Sequence, residues 1–320
     1  MTPIPADPLA VQSTAPLFII HNSGSGRQDA EATRQTITEV LREAGREHHL
    51  RAVESGAQFL PTVRGTVAEA QACGGVVVAA GGDGTINAVA AAVLGSGCAF
   101  GVLPQGTFNY FSRTHGIPAD TAEATQLLLA PRAWPVQVGL VNERVFLVNA
   151  SLGLYPTLLE DREAYKAQLG RSRLVALGAG LLTLLREHRQ LRLRIEQGDT
   201  VRSLRTPTLF VGNNALQLEQ IGMPQAPLLE RGRLAAIVLK PVGSLAMLWL
   251  LARGAMGRLG EADDIEGFAL RSITVKPALP YGTRRIKVAT DGEVGWMRAP
   301  LTFRVAPQPL YLLKPPPATP

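Results

Sequence analysis

The stretch Gly75-Val-Val-Val-Ala-Ala-Gly-Gly-Asp-Gly-Thr-Ile-Asn87 decides the fold. Val76 to Ala80 is a continuous run of β-branched and small apolar residues, the pattern of a strand buried on both faces in a parallel sheet. It ends in glycines, and a helical run from Ala88 to Leu94 follows directly. Glycines between a strand and a helix let the backbone approach a phosphate chain, and the exposed amides at the helix start favour anionic oxygen. Asp83 is the odd member of the loop. A carboxylate among phosphate-binding amides repels the ligand unless it also handles Mg²⁺ or a proton, so its presence points to phosphoryl chemistry. A plain glycine turn with Asp83 as helix cap is the bland alternative, but a cap needs one such residue and not five in a row.

Upstream of this loop, strand and helix patterns alternate. Leu17 to Ile20 reads as a first buried strand, and the loop His21-Asn-Ser-Gly-Ser-Gly-Arg27 follows it. Then come an amphipathic segment near Asp29 to Arg46, a short strand around Leu50 to Val53 and a helix from Gln58 to Ala72. Downstream, Ala99 to Leu103 reads as a strand and Thr121 to Ala130 as a helix. Between them Gly101-Val-Leu-Pro-Gln-Gly-Thr-Phe-Asn-Tyr-Phe-Ser-Arg113 supplies another glycine turn, with Asn109 and Arg113 read on one helical face. The alternation predicts a doubly wound α/β domain over 15–133. Ligands of such sheets gather beyond the carboxyl ends of the strands, so the three glycine-bearing loops share one sheet end and argue together for a nucleotide.

After Pro131 the pattern changes to short strands separated by turns, among them Val136 to Val141, Val145 to Asn149, Leu191 to Glu196, Thr206 to Gly212, Leu234 to Lys240, Ile273 to Lys276, Arg284 to Ala289 and Leu301 to Val305. That spacing predicts a β-rich, sandwich-like second domain over 134–305, with 306–320 as a C-terminal segment able to return to the first domain. Arg173 to Leu185 and Val242 to Leu259 interrupt the pattern. The first is too short and the second too broken by arginine to match the roughly 20 apolar residues of a membrane helix. Both read as helices covering the β-domain core, with contact at a headgroup boundary as the alternative, because arginines edge their apolar faces.

The net charge of +6 fits an anionic membrane surface, acidic metabolites or nucleic acid. No aromatic-interleaved basic patch or recognition helix appears, which argues against a nucleic-acid partner. Two cysteines, Cys73 and Cys98, lack the companions that metal spacing demands and read as core thiols. The N-terminus has no basic start followed by an apolar stretch, so the expected location is the cytoplasm.

Five elements occur in the order seen in the diacylglycerol kinase catalytic-domain family, which includes bacterial lipid kinases, ceramide kinases and sphingosine kinases. They are Asn22 to Gly26, Gly81 to Asn87, Leu103-Pro-Gln-Gly-Thr-Phe-Asn109, Gly212-Asn-Asn214 and Asp291-Gly-Glu293. The chain resembles that family along nearly its whole length. The Gly-Gly-Asp-Gly-Thr element alone is shared with NAD kinases and phosphofructokinases; the second motif and the late Asp-Gly-Glu narrow the likeness to lipid kinases. The resemblance implies an ATP-binding α/β domain, a β-rich domain that accepts the lipid and a cleft between them. Asn22, Ser25, Gly26, Gly81, Gly82, Asp83, Gly84, Thr85, Asn87, Gly106 and Thr107 would hold the nucleotide, and Ser55 matches a position where the family often has a nucleotide-contacting Thr. Glu293 would accept the proton of the lipid hydroxyl, Asp291 would assist through metal or orientation, and Asp83 would place Mg²⁺ or nucleotide. Without the family, Asp291-Gly292-Glu293 reads only as a tight turn between strands.

The chain departs from the family pattern in three places. Ser23 follows Asn22 where Pro is usual, Ala88 stands where Glu is common, and Glu230-Arg231-Gly232 replaces an Asp-Gly whose Asp supports a structural Mg²⁺. Arg231 cannot coordinate Mg²⁺, so either Glu230 substitutes as the ligand, or the guanidinium replaces the ion's charge, or that metal is absent. The expected function is transfer of the ATP γ-phosphoryl group to a membrane-lipid hydroxyl, diacylglycerol first, with Mg²⁺ accompanying ATP and the protein lying peripherally on the membrane. A soluble-metabolite kinase of the NAD kinase type and a nucleotide-binding regulator without catalysis are the rivals, and a homodimer is left open as an assembly state.

Overall fold

A computed structural model describes residues 7–22, 27–53, 56–154, 156, 159, 190–198, 200–229, 232–280 and 283–316. The chain divides into two compact units, Met1–Val138 with Ala306–Pro320, and Gly139–Val305.

The first unit contains β1 (Leu9–Ala10), β2 (Leu17–Asn22), α1 (Arg27–Glu43), β3 (His48–Val53), α2 (Phe59–Cys73), β4 (Val76–Gly81), α3 (Asp83–Val93), β5 (Ala99–Pro104), α4 (Tyr110–Thr114), α5 (Thr121–Leu127) and β6 (Arg132–Val136). The C-terminal strand Leu310–Leu312 completes it. Its seven strands lie in the spatial order β1, β6, C-terminal strand, β5, β4, β2, β3. Strands β2 to β5 are mutually parallel where they pair, and the C-terminal strand runs parallel to β5 and antiparallel to β6. Every residue of β4 and β5 is buried, as a strand covered on both faces requires. Gly74 ends α2 in the left-handed region at φ +65°, and Gly74 and Gly75 both return their amides to the last turn of the helix. The chain leaves this unit after Val138, and not at 133, because Trp134 to Val136 pair with Leu310 to Leu312. The single strand expected over Val136 to Val141 is therefore two strands in different units.

From β2 the chain crosses to β3 on one side and later returns to β4 on the other. The reversal makes the carboxyl ends of β2 and β4 a topological switch point, where open α/β sheets bind their ligands. Strand β2 ends there at Asn22, and the glycine turn after Gly81 begins there.

The second unit contains β7 (Gly139–Val141), β8 (Arg144–Phe146), β9 (Asn149–Gly153), β10 (Leu191–Gln197), β11 (Thr200–Thr206), β12 (Thr208–Gly212), α6 (Ala215–Gln220), α7 (Ala226–Leu229), β13 (Leu234–Leu239), α8 (Ser244–Ala255), β14 (Ile265–Leu270), β15 (Ser272–Pro277), β16 (Arg285–Thr290), β17 (Glu293–Arg298) and β18 (Leu301–Val305). One six-stranded sheet runs β11, β10, β15, β18, β7, β8 and the other β14, β13, β12, β9, β16, β17. Every pairing in both is antiparallel. The strand expected over Val145 to Asn149 is β8 and only the first residue of the central strand β9; the other strands of this unit absent from the sequence reading, β11, β14 and β17, lie at sheet edges. An edge strand buries less of itself, so its apolar signal is weak: four of the seven residues of β11 are exposed, and no residue of β17 is buried.

Helix α8 lies within the apolar segment Val242 to Leu259. Its Met247 and Leu250 pack with Leu154, Leu239 and Ala262, while Trp249 and Met256 are 61% and 57% exposed. Arg253 and Arg258, expected to edge a headgroup surface, both pair with Glu261, at 3.2 and 2.8 Å. The other apolar segment, 173–185, lies outside the described residues. Among the described residues no helix is long and apolar enough to cross a membrane. Of the two cysteines read as core thiols, Cys98 is buried and Cys73 is exposed at the end of α2.

Candidate functional site

In the first unit the end of β2 and the glycine loops after β4 and β5 meet through side-chain and backbone contacts. Asn22, the last residue of β2, donates from Nδ2 to Oγ1 of Thr85 at 2.9 Å. That hydroxyl folds back over the end of β4, where a Cβ on Gly81 would stand 2.8 Å from it, so no larger residue fits at 81 without displacing Thr85. Gly82 is the extended residue ahead of α3, and Asp83 is its first helical residue, not its cap. The second glycine loop comes within backbone contact of the first: a Cβ on Gly106 would lie 3.1 Å from the Gly82 Cα and 2.7 Å from Asn109 Oδ1. Glycine at both positions thus lets two backbones approach closely, an arrangement suited to presenting amides to an anion.

Asn109 is the member of this constellation that the sequence reading placed wrongly. It does not share a helical face with Arg113 but precedes α4 in the left-handed region, at φ +47°, a conformation Asn tolerates better than most residues. Its side chain accepts from the Gly106 amide at 3.0 Å and donates to the Gly106 carbonyl at 2.8 Å, clasping the glycine turn. Its own amide donates to Asp83 Oδ2 at 3.1 Å. One asparagine therefore ties the two glycine loops together. The legible signal was an Asn directly before a helix start.

Asp83 is left with Oδ1 buried and without a hydrogen-bond partner among the described residues. Burial pushes its carboxyl upward, and the backbone N–H groups of Asn109 and Tyr110 pull in the opposite direction. An acceptor oxygen in that condition suits a cation or a proton donor. Among the described residues no cluster of three or more His, Cys, Asp or Glu side chains could hold a metal alone. The donor set therefore fits Mg²⁺ shared with phosphate oxygens, since that ion commonly takes one or two carboxylates and fills its other positions from phosphate and water. Gly84 and Thr107 are exposed, and Asn87 is half-buried on α3. Ser25, Gly26, Ser55, Glu230 and Arg231 lie outside the described residues.

In the second unit the turn Asp291-Gly292-Glu293 joins β16 to β17. Asp291 and Gly292 are both left-handed, at φ +48° and +88°. The Asp291 carboxylate accepts from the amides of Leu147, Val148 and Asn149 at 2.7, 2.9 and 2.9 Å, and the Asp291 amide donates to the Asn149 carbonyl at 2.9 Å. Its carboxylate is thereby built into the backbone of the β8–β9 connection. Glu293 is different. Its carboxylate points outward and accepts from Arg144 Nη2 at 3.1 Å, leaving a solvent-accessible acid at the tip of the hairpin. Arg144 had no sequence signal, because 149 residues separate it from Glu293.

Residues 16–141 match the diacylglycerol kinase catalytic domain. Among curated proteins, a Klebsiella pneumoniae protein named "Probable lipid kinase YegS-like" is 36% identical over 165 residues, 49% of this chain and 53% of that protein. A Cronobacter sakazakii protein of the same name is 41% identical over 100 residues, 29% of this chain and 33% of the relative. The chain thus spans about half, or less, of the length of these curated relatives. Two crystal structures from Bacillus anthracis share the fold at 20% identity. One, described as a diacylglycerol kinase, superposes with a TM-score of 0.67 over 95% of this chain and 98% of its own. The other reaches 0.73 over 97% and 98%.

Proposed function

Residues 16–141 belong to the diacylglycerol kinase catalytic-domain family, and from this premise we propose that the chain transfers the γ-phosphoryl group of ATP to a hydroxyl of a membrane lipid, with diacylglycerol the first candidate. The observation that carries the reading is the apposition of Gly82 and Gly106 at the switch point with the unpartnered Oδ1 of Asp83 beside them. Amides from two loops bind the phosphate chain, and the buried carboxylate admits the accompanying cation. Mg²⁺, when bound with ATP, offsets phosphate charge as it shifts toward the leaving oxygen. Asn22, Thr85 and Asn109 hold the loops in place through the bonds described above.

In the transfer, the lipid hydroxyl oxygen forms a bond to the γ-phosphorus, the bond from that phosphorus to the β–γ bridging oxygen breaks, and ADP departs. Glu293 receives the hydroxyl proton. A positioned base of this kind contributes about 10²–10⁴-fold. Glu293→Gln keeps the side-chain shape and removes the base, so kcat should fall by roughly that factor while the KM for ATP changes little. The assay is transfer from radiolabelled ATP to a panel of diacylglycerol, ceramide and other long-chain alcohols, with NAD as a soluble acceptor. Label appearing only in NAD would sink the lipid assignment, and wild-type kcat in Glu293→Gln would sink the base.

Peripheral contact with the membrane is part of the same proposal. Its support is the exposure of Trp249 on α8 and of Met256 at the C-cap of that helix, while Met247 and Leu250 pack inward, since an exposed Trp beside apolar neighbours suits the headgroup boundary. Replacing both exposed residues with Ala should reduce co-sedimentation with phosphatidylglycerol vesicles; unchanged binding would move the contact elsewhere.

A further inference from the structure

We infer that Arg144 is a positioning residue for Glu293, holding the acid's carboxylate in the orientation from which it accepts the lipid proton; this rests on the reading of Glu293 as the base. The run Arg144 to Asn149 grips the acid-bearing turn at both ends. At one end the amides of Leu147, Val148 and Asn149 fix Asp291. At the other, Arg144 Nη2 donates to Glu293 Oε2 at 3.1 Å.

The guanidinium is itself held from a firm base. Arg144 begins β8 directly after the β7–β8 turn, in which Asn142 is left-handed at φ +52°. Asn142 exchanges bonds with Thr302 through its amide at 2.8 Å and its Oδ1 at 2.9 Å, and its Nδ2 donates to the Arg298 carbonyl at 3.3 Å. Those contacts pin the turn to the end of β17 and the start of β18. Across β17, a Cβ on Gly295 would stand 2.9 Å from Arg144 Nη1, so the missing side chain leaves the room that the guanidinium occupies.

Stability does not account for this arrangement. The side chains of Arg144 and Glu293 are 41% and 65% exposed, and ion pairs so open to water contribute little to folding. An exposed glutamate without a partner spreads over many rotamers, whereas catalysis needs its oxygen in one place. The pairing restricts that freedom at the single acid whose position the chemistry depends on. A second ion pair on the same turn, Arg304 Nη2 to Glu143 Oε1 at 3.0 Å, does not touch Glu293 and serves as an internal control.

The test measures lipid phosphorylation by Arg144→Gln, Arg144→Lys, Glu293→Gln, the Arg144→Gln/Glu293→Gln double variant and Arg304→Gln, with melting temperatures alongside to establish that each is folded. Arg144→Gln should lower kcat by about tenfold or more with the KM for ATP within about twofold of wild type. Arg144→Lys should recover most of the loss, because it restores the charge at the carboxylate. In the Glu293→Gln background, Arg144→Gln should cost nothing further, and Arg304→Gln should match wild type. Wild-type kcat in Arg144→Gln with a damaged Glu293→Gln overturns the inference and leaves the base assignment standing. An equal loss from Arg144→Gln in both backgrounds also overturns it, because Arg144 would then act independently. Wild-type kcat in Glu293→Gln removes the base assignment, and the inference with it.

Discussion

Replacing Asp291 with Asn isolates the charge of the carboxylate from the shape of its turn. Asn is as much at home as Asp in the left-handed region, so the backbone at φ +48° suffers no new strain. What changes is the acceptor set. Oδ1 takes the amides of Val148 and Asn149 and Oδ2 takes that of Leu147. With the Asn oxygen at the Oδ1 position two bonds survive in weaker, uncharged form, while an NH₂ group faces the Leu147 amide, donor against donor. Hydrogen bonds to charged groups are worth roughly 1.5–3 kcal/mol, and a stranded buried donor costs about 1–3. The combined loss should be about 2–4 kcal/mol of unfolding free energy, read as a lower urea midpoint at unchanged slope. Because the carboxylate is occupied by backbone amides, the Mg²⁺ concentration for half-maximal activity should not move. A urea midpoint indistinguishable from wild type together with a raised Mg²⁺ requirement would refute the reasoning and return Asp291 to a metal.

Gly106→Ala should raise the KM for ATP with a smaller effect on global stability, since its Cβ would stand 2.7 Å from Asn109 Oδ1 and 3.1 Å from the Gly82 Cα and force the two loops apart; an unchanged KM would show that their approach is not needed for nucleotide. The first unit should also lose stability in mild acid. Burial, with a nearby Arg34, pushes His21 below the ordinary imidazole range, and burial, with Lys314, pushes His115 down to about 3. The unfolded chain therefore takes up these protons first. Stability is complete above about pH 6.5 and declines as pH falls below it, His115 alone contributing roughly 2 kcal/mol of loss at pH 5. Urea midpoints for wild type and His115→Gln between pH 7.5 and 5 provide the check: the variant's decline should be shallower, and parallel curves would exclude His115 as a source.

The order of elements in the first unit and the placement of its glycine turns at strand ends were legible from sequence for a local reason. Val76 to Ala80 declares a strand covered on both faces, the glycines after it admit a close backbone approach, and these signals occupy consecutive residues. Most central strands of the second unit were legible for the same reason, whereas edge strands such as β17 were not, because partial burial leaves no clear alternation. Tertiary structure decided the rest. It put Trp134 to Val136 beside Leu310 to Leu312 and so carried the first unit past residue 133. It turned Asn109 from a helix-face residue into the clasp between two loops, through bonds to Gly106 and to Asp83 26 residues away. It separated the surroundings of Asp291 and Glu293, two residues apart in one turn, by giving one three backbone amides and the other a guanidinium from 149 residues earlier. Local sequence encodes what a backbone segment can do by itself; which donor meets which carboxylate depends on antiparallel register between distant strands, and only the folded chain sets that register.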